Sequence, residues 1–177
     1  GAREVMWEAA QFLRAAAGLD SPTSSDPVQL RDTSGARRLE SNTWPPLPVE
    51  EEVLFLTAGQ LTQRPTASAA STSFTYDPGD PTPSCGGIAV DLTGGPKDNR
   101  KLEARADVLV FDGPPEAETT YLGTPTAELW VSADVPHPEL FVRLNVVDSK
   151  GRSTNLVDRL VKVELGTSTV MPVQISL

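Results

Sequence analysis

The chain contains the run Leu140-Phe141-Val142-Arg143-Leu144-Asn145-Val146-Val147-Asp148, followed at once by Ser149-Lys150-Gly151-Arg152. Apolar and β-branched residues dominate the first part, as they do in β-strands. The second part has the composition of a tight hairpin turn, in which Gly151 can take a positive φ. A further apolar run, Leu160–Leu165, follows the turn. The pattern predicts an antiparallel β-hairpin as the centre of the fold.

Other segments predict further strands joined by turns. Thr126–Ser132 alternates, so Glu128 and Trp130 are predicted on one face, opposite smaller apolar residues. Asp107–Phe111 is apolar after its first residue and is predicted to be a strand buried on both faces. The remaining strand candidates are Glu52–Thr57 (turned by Ala58-Gly59-Gln60), Ile88–Val90 and Val170–Leu177, and Val28–Arg31 alternates like a short edge strand. With 16 prolines and 13 glycines spread along the chain, seven or eight short strands predict an all-β sandwich.

The first residues have a different pattern. Arg3–Ala17 carries an apolar stripe at helical spacing, and Gly18 is a typical residue for the end of a helix. We expect three parts: the helix at 1–18, a polar linker at 19–43 and a β-sandwich at 44–177. The helix either packs on this sandwich or is the last helix of a preceding domain. The long polar linker favours the second. Separately, a start at Gly1-Ala2 rather than methionine suggests an excised piece.

Composition excludes several classes of protein. The chain has 177 residues, a net charge of −9 and one cysteine. The negative charge argues against a nucleic-acid or anionic-membrane partner, since either needs a basic face. No apolar run is long enough to cross a bilayer. A single cysteine cannot form an internal disulfide or a cysteine-rich metal site.

The residues that catalyse reactions in other proteins lack partners in this sequence. There is no Gly-x-Ser-x-Gly nucleophile motif. The single histidine, His137, lies between two prolines and is interpreted as a surface-loop residue. Cys85 has no activating base implied by its position and is interpreted as a small loop or buried thiol. We therefore predict no catalytic and no cofactor-binding residue.

The aspartates allow two interpretations. Asp77, Asp80 and Asp91 would suit a calcium loop, but the EF-hand spacing is absent, and Asp-Pro pairs favour turn capping. We therefore predict no metal ligand and no cofactor. Arg105 and Asp107 are predicted either to form an ion pair or to contact a neighbouring domain. Two further aspartates are predicted to accept hydrogen bonds in turns, namely Asp148 and Asp158.

The aromatic residues are few. Trp44, Tyr76, Tyr121 and Trp130 would suit a platform on which sugars stack. They would equally suit an interface or the core, and scattered aromatics in a sandwich are more often core residues.

Two neighbouring blocks carry a family resemblance. The first is Phe74-Thr75-Tyr76-Asp77-Pro78-Gly79-Asp80-Pro81-Thr82-Pro83-Ser84-Cys85-Gly86-Gly87, and the second runs from Gly95-Pro96-Lys97-Asp98-Asn99-Arg100 to Phe111. Together they resemble the C-terminal, non-catalytic domain of the X-Pro dipeptidyl-peptidase and cocaine-esterase group of serine hydrolases. Weaker similarities in the same order extend over roughly Trp44–Leu177.

The resemblance implies a jelly-roll, galactose-binding-like β-sandwich with an N-terminal helix, packed on an α/β-hydrolase domain of the same parent chain. It implies a non-catalytic role that shapes the active-site cleft, with a homo-oligomer as a further partner. The family's catalytic residues precede the matched region, so none carries over. Family members usually continue beyond Val170–Leu177 to another strand, and we expect the sandwich to be open at that edge. A carbohydrate-binding module and an assembly module are the alternatives.

Overall fold

The structure is a computed structural model that describes residues 2–20, 28–33, 37–66, 71–88, 93–117, 119–166 and 169–177. The chain divides into two compact units, residues 1–51 and 52–177. Strands outnumber helices among the described residues, which confirms the prediction of an all-β class. In the part of the chain that is described, neither helix is long and apolar enough to cross a membrane.

The described residues of the first unit form a helix and a strand hairpin. Helix α1 spans Ala2–Ala16, and strands β1 (Val28–Arg31) and β2 (Arg38–Ser41) pair antiparallel. The predicted glycine stop is confirmed, since Gly18 has a φ of 71° and its amide donates to the Ala15 carbonyl at 2.9 Å. The hairpin lies in the stretch interpreted as a linker, whose bounds stay a prediction.

The polar side of α1 faces this hairpin. Arg31 Nη2 donates to Glu8 Oε1 at 3.0 Å, and Arg38 Nη1 lies 3.8 Å from the same carboxylate oxygen. Phe12 and Leu13, which lie on the apolar stripe of the helix, are 72% and 65% exposed. The first unit therefore contacts its hairpin through charges and leaves an apolar helix face uncovered.

The second unit is built from strand pairs. Its elements are β3 (Phe55–Thr57), β4 (Gln60–Thr62), α2 (Arg100–Glu103), β5 (Thr126–Val131), β6 (Glu139–Val147), β7 (Ser153–Lys162) and β8 (Met171–Ser176). Among the described residues the pairs are β3 with β4, β5 with β8 and β6 with β7, all antiparallel. Only two described hydrophobic side chains are fully buried, those of Leu165 and Ile175.

The central hairpin has the predicted form. The amides of Lys150 and Arg152 donate to Asp148 Oδ1 at 2.8 and 2.9 Å, and Gly151 takes a φ of 74°. Strand β7 begins at Ser153, seven residues earlier than the apolar run Leu160–Leu165 indicated, because polar residues form its first half. Those polar residues face the site described below.

Strand β5 also agrees with the prediction, because exposed and half-buried residues alternate along it. Glu128 and Trp130 share the exposed face, opposite Gln174 and Pro172 of β8. The opposite, inner face of the strand pair includes Ile175 of β8, which lies beside Ala127 and is 1% exposed.

Two strand predictions are wrong in the described residues. Asp107–Phe111 contains no strand and is half-buried at most positions. The reason is local, since Val108 N donates to the Arg105 carbonyl at 3.3 Å and closes a turn at the start of this segment. Ile88 lies in an exposed bend, and the rest of the predicted strand Ile88–Val90 lies outside the described residues.

Candidate functional site

A buried network of polar side chains joins the two motif blocks to the β6–β7 hairpin. Its centre is Arg143 on β6, and we call it the Arg143 cluster. Asn99 is fully buried, and the side chains of Arg143 and Asp158 are only 10% and 14% exposed. The other members are Glu103, Asn145, Ser153 and Asn155.

The Arg143 guanidinium holds three chain segments at once. Its Nη2 donates to Asp158 Oδ2 at 2.9 Å across the hairpin. Its Nη1 donates to Asn99 Oδ1 at 2.6 Å and to the Cys85 carbonyl oxygen. The Phe141 ring lies beside the same group, with 4.9 Å between the ring centroid and Arg143 Cζ. Arginine suits this position because its planar fork presents several donors in fixed directions.

Asn155 binds the backbone of the second motif block. Its Oδ1 accepts from Lys97 N at 2.8 Å and from Asn99 Nδ2 at 3.3 Å, while its Nδ2 donates to the Gly95 carbonyl at 3.2 Å. Asn99 N donates to the Ser153 carbonyl at 2.8 Å. An asparagine amide can supply both donors and acceptors to an irregular loop, and this loop is thereby fixed on β7.

Helix α2 contributes the acidic end of the cluster. Glu103 Oε1 accepts from Asn145 Nδ2 at 2.7 Å and from the Ser153 hydroxyl. Asn99 precedes α2 at its N-cap position, but its side chain makes no capping bond. The side-chain amide of Asn99 forms hydrogen bonds within the cluster instead of the usual capping bond.

Two glycines allow the loop to approach the hairpin closely. Gly86 has a φ of 70°, and a Cβ at this position would lie 2.6 Å from both Asn155 Oδ1 and the Gly95 carbonyl oxygen. At Gly87, with a φ of 80°, a Cβ would lie 2.5 Å from Asp158 Oδ2. Only glycine fits either position without displacing the network.

The chemistry of the cluster is that of a structural clasp. A buried charge pair is stable only when its remaining polar atoms are also satisfied. Nearly all atoms here meet that condition, and among the described residues the buried side-chain atoms without a partner are Arg143 Nε and Asn145 Oδ1. The cluster thus fixes the position of residues 85–88 and 93–103 on the β6–β7 hairpin.

A second ion pair lies beside the first motif block, and we call it the Asp107 pair. Arg105 donates to both carboxylate oxygens of Asp107, at 2.7 and 2.9 Å, and Thr82 Oγ1 donates to Oδ2 at 2.6 Å. Arg105 Nη2 also donates to the Asp80 carbonyl at 2.8 Å. These bonds hold the pKa of Asp107 well below its usual range. The predicted ion pair of Arg105 and Asp107 is confirmed.

The other aspartate predictions have mixed outcomes. Asp77 caps a turn, as predicted, because its Oδ1 accepts from Gly79 N at 2.8 Å. Asp148 accepts turn amides, as predicted, but Asp158 does not lie in a turn. It is a mid-strand residue of β7 that pairs with Arg143, so that prediction is wrong. Asp91 lies outside the described residues, and no group of three metal-ligating side chains occurs among those that are described.

His137 and Cys85 have different surroundings in the fold. His137 is exposed in the loop before β6. Cys85 is half-buried, and its Sγ lies 3.6 Å from the Asp98 carbonyl oxygen, to which it donates. Among the contacts of the described residues, the Cys85 thiol bonds to a backbone carbonyl and not to a base.

The aromatic side chains do not form the core. Trp44, Tyr76, Tyr121 and Trp130 are all more than half exposed, so the core interpretation is wrong for these four. Tyr121 lines an open cleft of about 770 Å³ with Glu52, Asp112 and Glu116. Its hydroxyl donates to Glu116, and the nearby carboxylates raise its pKa above the usual value.

Sequence reasoning missed the Arg143 cluster as a site. Strands β6 and β7 have the sequence pattern of half-buried strands. They also carry polar residues of the cluster, namely Arg143, Asn145, Asn155 and Asp158. A signal was present, because Arg143 and Asn145 on β6, and Ser153 and Asn155 on β7, alternate along one face of each strand. Asp158 joins that face only through the register irregularity between Leu144 and Asn145. Whether these side chains form a buried cluster depends on which loop covers that face. The sequence pattern alone does not indicate the loop.

The strand pairs and the clasp together define an all-β domain whose loops are fixed by buried side chains. Comparison with known proteins gives a consistent result. The family described as the X-Pro dipeptidyl-peptidase C-terminal non-catalytic domain matches residues 21–170, and the chain belongs to that family. The cocaine esterase of Rhodococcus sp. (strain MB1 Bresler) is 30% identical over 117 residues, which are 64% of this chain. The match covers 20% of that esterase, so this chain spans about a fifth of the length of its relative.

Proposed function

We propose that this chain is the non-catalytic C-terminal domain of a serine hydrolase, either an X-Pro dipeptidyl-peptidase or an acyl esterase. In this proposal it packs on the α/β-hydrolase domain of its parent chain and shapes the entrance to the active-site cleft. Family membership supports the association with a hydrolase. The clasp supports the role, since loops that wall a cleft must be held in one position.

The observation that carries the packing is the uncovered apolar surface. Phe12 and Leu13 of α1 are exposed on one helix face, and Phe141 and Leu160 form an exposed cross-strand pair on the hairpin. Large uncovered apolar groups of this kind mark surfaces that another protein surface covers. The hydrolase domain of the parent chain is the partner that the family provides.

The proposal extends to the architecture. Residues 1–18 form the last helix of the hydrolase domain, 19–43 a linker and 44–177 a jelly-roll sandwich. The pairing of β5 with β8, around the intervening β6–β7 hairpin, supports this topology. An antiparallel pair that encloses a hairpin along the chain is a non-local pairing of the kind that jelly rolls contain.

Activity measurements on the isolated chain test the catalytic part of the proposal. The purified 177-residue chain is expected to hydrolyse neither a Gly-Pro anilide nor a nitrophenyl ester above the rate of a buffer blank. Turnover of either substrate by the chain alone contradicts the proposal.

The packing is tested in the parent protein. Leu13→Asp places a charge on the exposed face of α1, and Val135→Asp makes the same change in an exposed loop of the second unit. Leu13→Asp is expected to lower the melting temperature of the parent protein more than Val135→Asp does. Equal effects of the two variants contradict packing through α1.

A further inference from the structure

The exposed face of the β5–β8 pair presents an aromatic ring beside a carboxylate. Trp130 is 74% exposed and lies opposite Pro172. Glu128 lies two residues earlier on the same face, about 7 Å along the strand at the usual rise per residue. We call this surface the Trp130 face.

The Glu128 carboxylate is held in position and can accept a further hydrogen bond. Gln174, which lies opposite Glu128 in the strand pair, donates from its Nε2 to Glu128 Oε1 at 3.4 Å. The contact engages one carboxylate oxygen and leaves Oε2 for a further donor. No ion pair of Glu128 with a basic side chain occurs among the described residues.

We propose that the Trp130 face binds an arginine side chain presented by a partner protein. A cation within about 6 Å of an indole centroid is attracted by the ring. From that position it can reach the Glu128 carboxylate, which lies two residues along the strand. The guanidinium of arginine is planar, so it can stack on the indole and donate to Glu128 together. The inference does not depend on the hydrolase assignment.

Charge complementarity selects this occupant over others. The chain carries a net charge of −9, which attracts a basic partner over distances of about 8 Å at physiological salt. A purely apolar partner would bury the Glu128 carboxylate without a counter-ion, at a considerable desolvation penalty. A glycan would use the stacking surface but would gain nothing from the negative charge.

The test uses tetra-arginine as the probe and the indole N–H resonance of Trp130 as the readout. The resonance is assigned by its loss in Trp130→Phe. Tetra-citrulline has nearly the same shape without the charge, and maltotriose represents a neutral glycan. We expect tetra-arginine to shift the resonance in a saturable manner, and the two neutral probes to leave it unchanged.

Two variants distinguish binding at the Trp130 face from general electrostatic attraction to the negatively charged chain. Glu128→Gln is expected to weaken tetra-arginine binding about two- to fivefold, the range for an exposed charge pair. Glu139→Gln, at an exposed position on β6, removes the same charge elsewhere and is expected to have a smaller effect. The proposal is overturned if the two variants weaken binding equally, if tetra-citrulline or maltotriose shifts the resonance as strongly, or if no probe shifts it.

Discussion

Arg143 and Asp158 are direct partners in the register of β6 and β7, and their side chains form an ion pair with 2.9 Å between Nη2 and Oδ2. The pairing of β6 with β7 thus brings the two charges together without any contribution from the motif loops. Asn99 Oδ1 and the Cys85 carbonyl oxygen both accept from Nη1 of the same guanidinium. The hairpin and the motif loops are therefore coupled through one side chain.

Replacing Arg143 tests this coupling. Arg143→Met keeps an unbranched side chain but leaves Asp158 without its cation and two acceptors without their donor. Removing one partner of a largely buried pair lowers the free energy of unfolding by about 3–5 kcal/mol. Urea denaturation followed by circular dichroism measures this loss.

A matched variant lies next to the pair on β7. Arg159 is exposed, and Arg159→Met is expected to change stability by less than about 1 kcal/mol, as for ordinary surface positions. If both variants denature at the same urea concentration, Arg143 does not stabilise the hairpin through the cluster.

The close approach of the loop at Gly86 gives a second prediction. Gly86→Ala introduces both a strained φ and a clash with Asn155, whereas Gly151→Ala introduces strain alone, since nothing lies within 4 Å of its added Cβ. The strain lowers stability by about 1–2 kcal/mol, and the clash adds about 1–3 kcal/mol. Gly86→Ala is therefore expected to melt at a clearly lower temperature in a calorimetric scan. Equal melting temperatures would show that the loop moves away from Asn155 freely.

The sequence predicted local elements of this fold better than the contacts between them. Helix α1, the turn at Gly151 and the alternation along β5 follow from patterns of three to fifteen neighbouring residues. Each of these features depends on interactions within or next to the element itself. For the same reason Asp148, which binds amides two and four residues ahead, was predicted correctly.

The Arg143 cluster depends on distant residues, and its sequence signal is weak. Asn155 binds the backbone at Lys97, 58 residues away along the chain. Asp158 resembles a turn residue by composition and becomes a mid-strand ion-pair partner only because Arg143 lies opposite. Asp107–Phe111 shows the reverse case, in which an apolar run lacks a strand because the backbone bond from Val108 N to the Arg105 carbonyl closes a turn at its start.

Acid is expected to weaken the loop contacts. The Arg100 side chain lowers the pKa of Asp98 to about 2, and Arg105 and Thr82 lower the pKa of Asp107. An unfolded aspartate titrates near pH 3.9, so the native chain binds fewer protons than the unfolded chain between that pH and the lowered pKa. The stabilisation is complete above about pH 4 and is lost as pH falls towards about 2.

Asp107→Asn isolates one contribution to this acid sensitivity. It is expected to reduce the slope of unfolding free energy against pH between about pH 4 and 2, because the titrating group is removed. Asp134→Asn, at an exposed position before β6, is expected to leave the slope nearly unchanged. Urea titrations at several pH values measure both slopes. A slope that Asp107→Asn leaves intact would assign the acid sensitivity to other carboxylates.

The thiol of Cys85 reports on opening of the clasp. The chain has one cysteine, and its carbonyl oxygen is bound by Arg143 while its Sγ lies 3.6 Å from the Asp98 carbonyl oxygen. Because Cys85 is half-buried, its labelling by a disulfide reagent is expected to become faster when this segment opens locally. Arg143→Met is expected to accelerate labelling about tenfold or more, as for an opening made easier by at least about 1.4 kcal/mol. Arg159→Met is expected to leave the rate unchanged. Labelling of the native protein at the rate seen in urea would mean that the Cys85 segment is already open, and that Arg143 does not hold the motif loop on the hairpin.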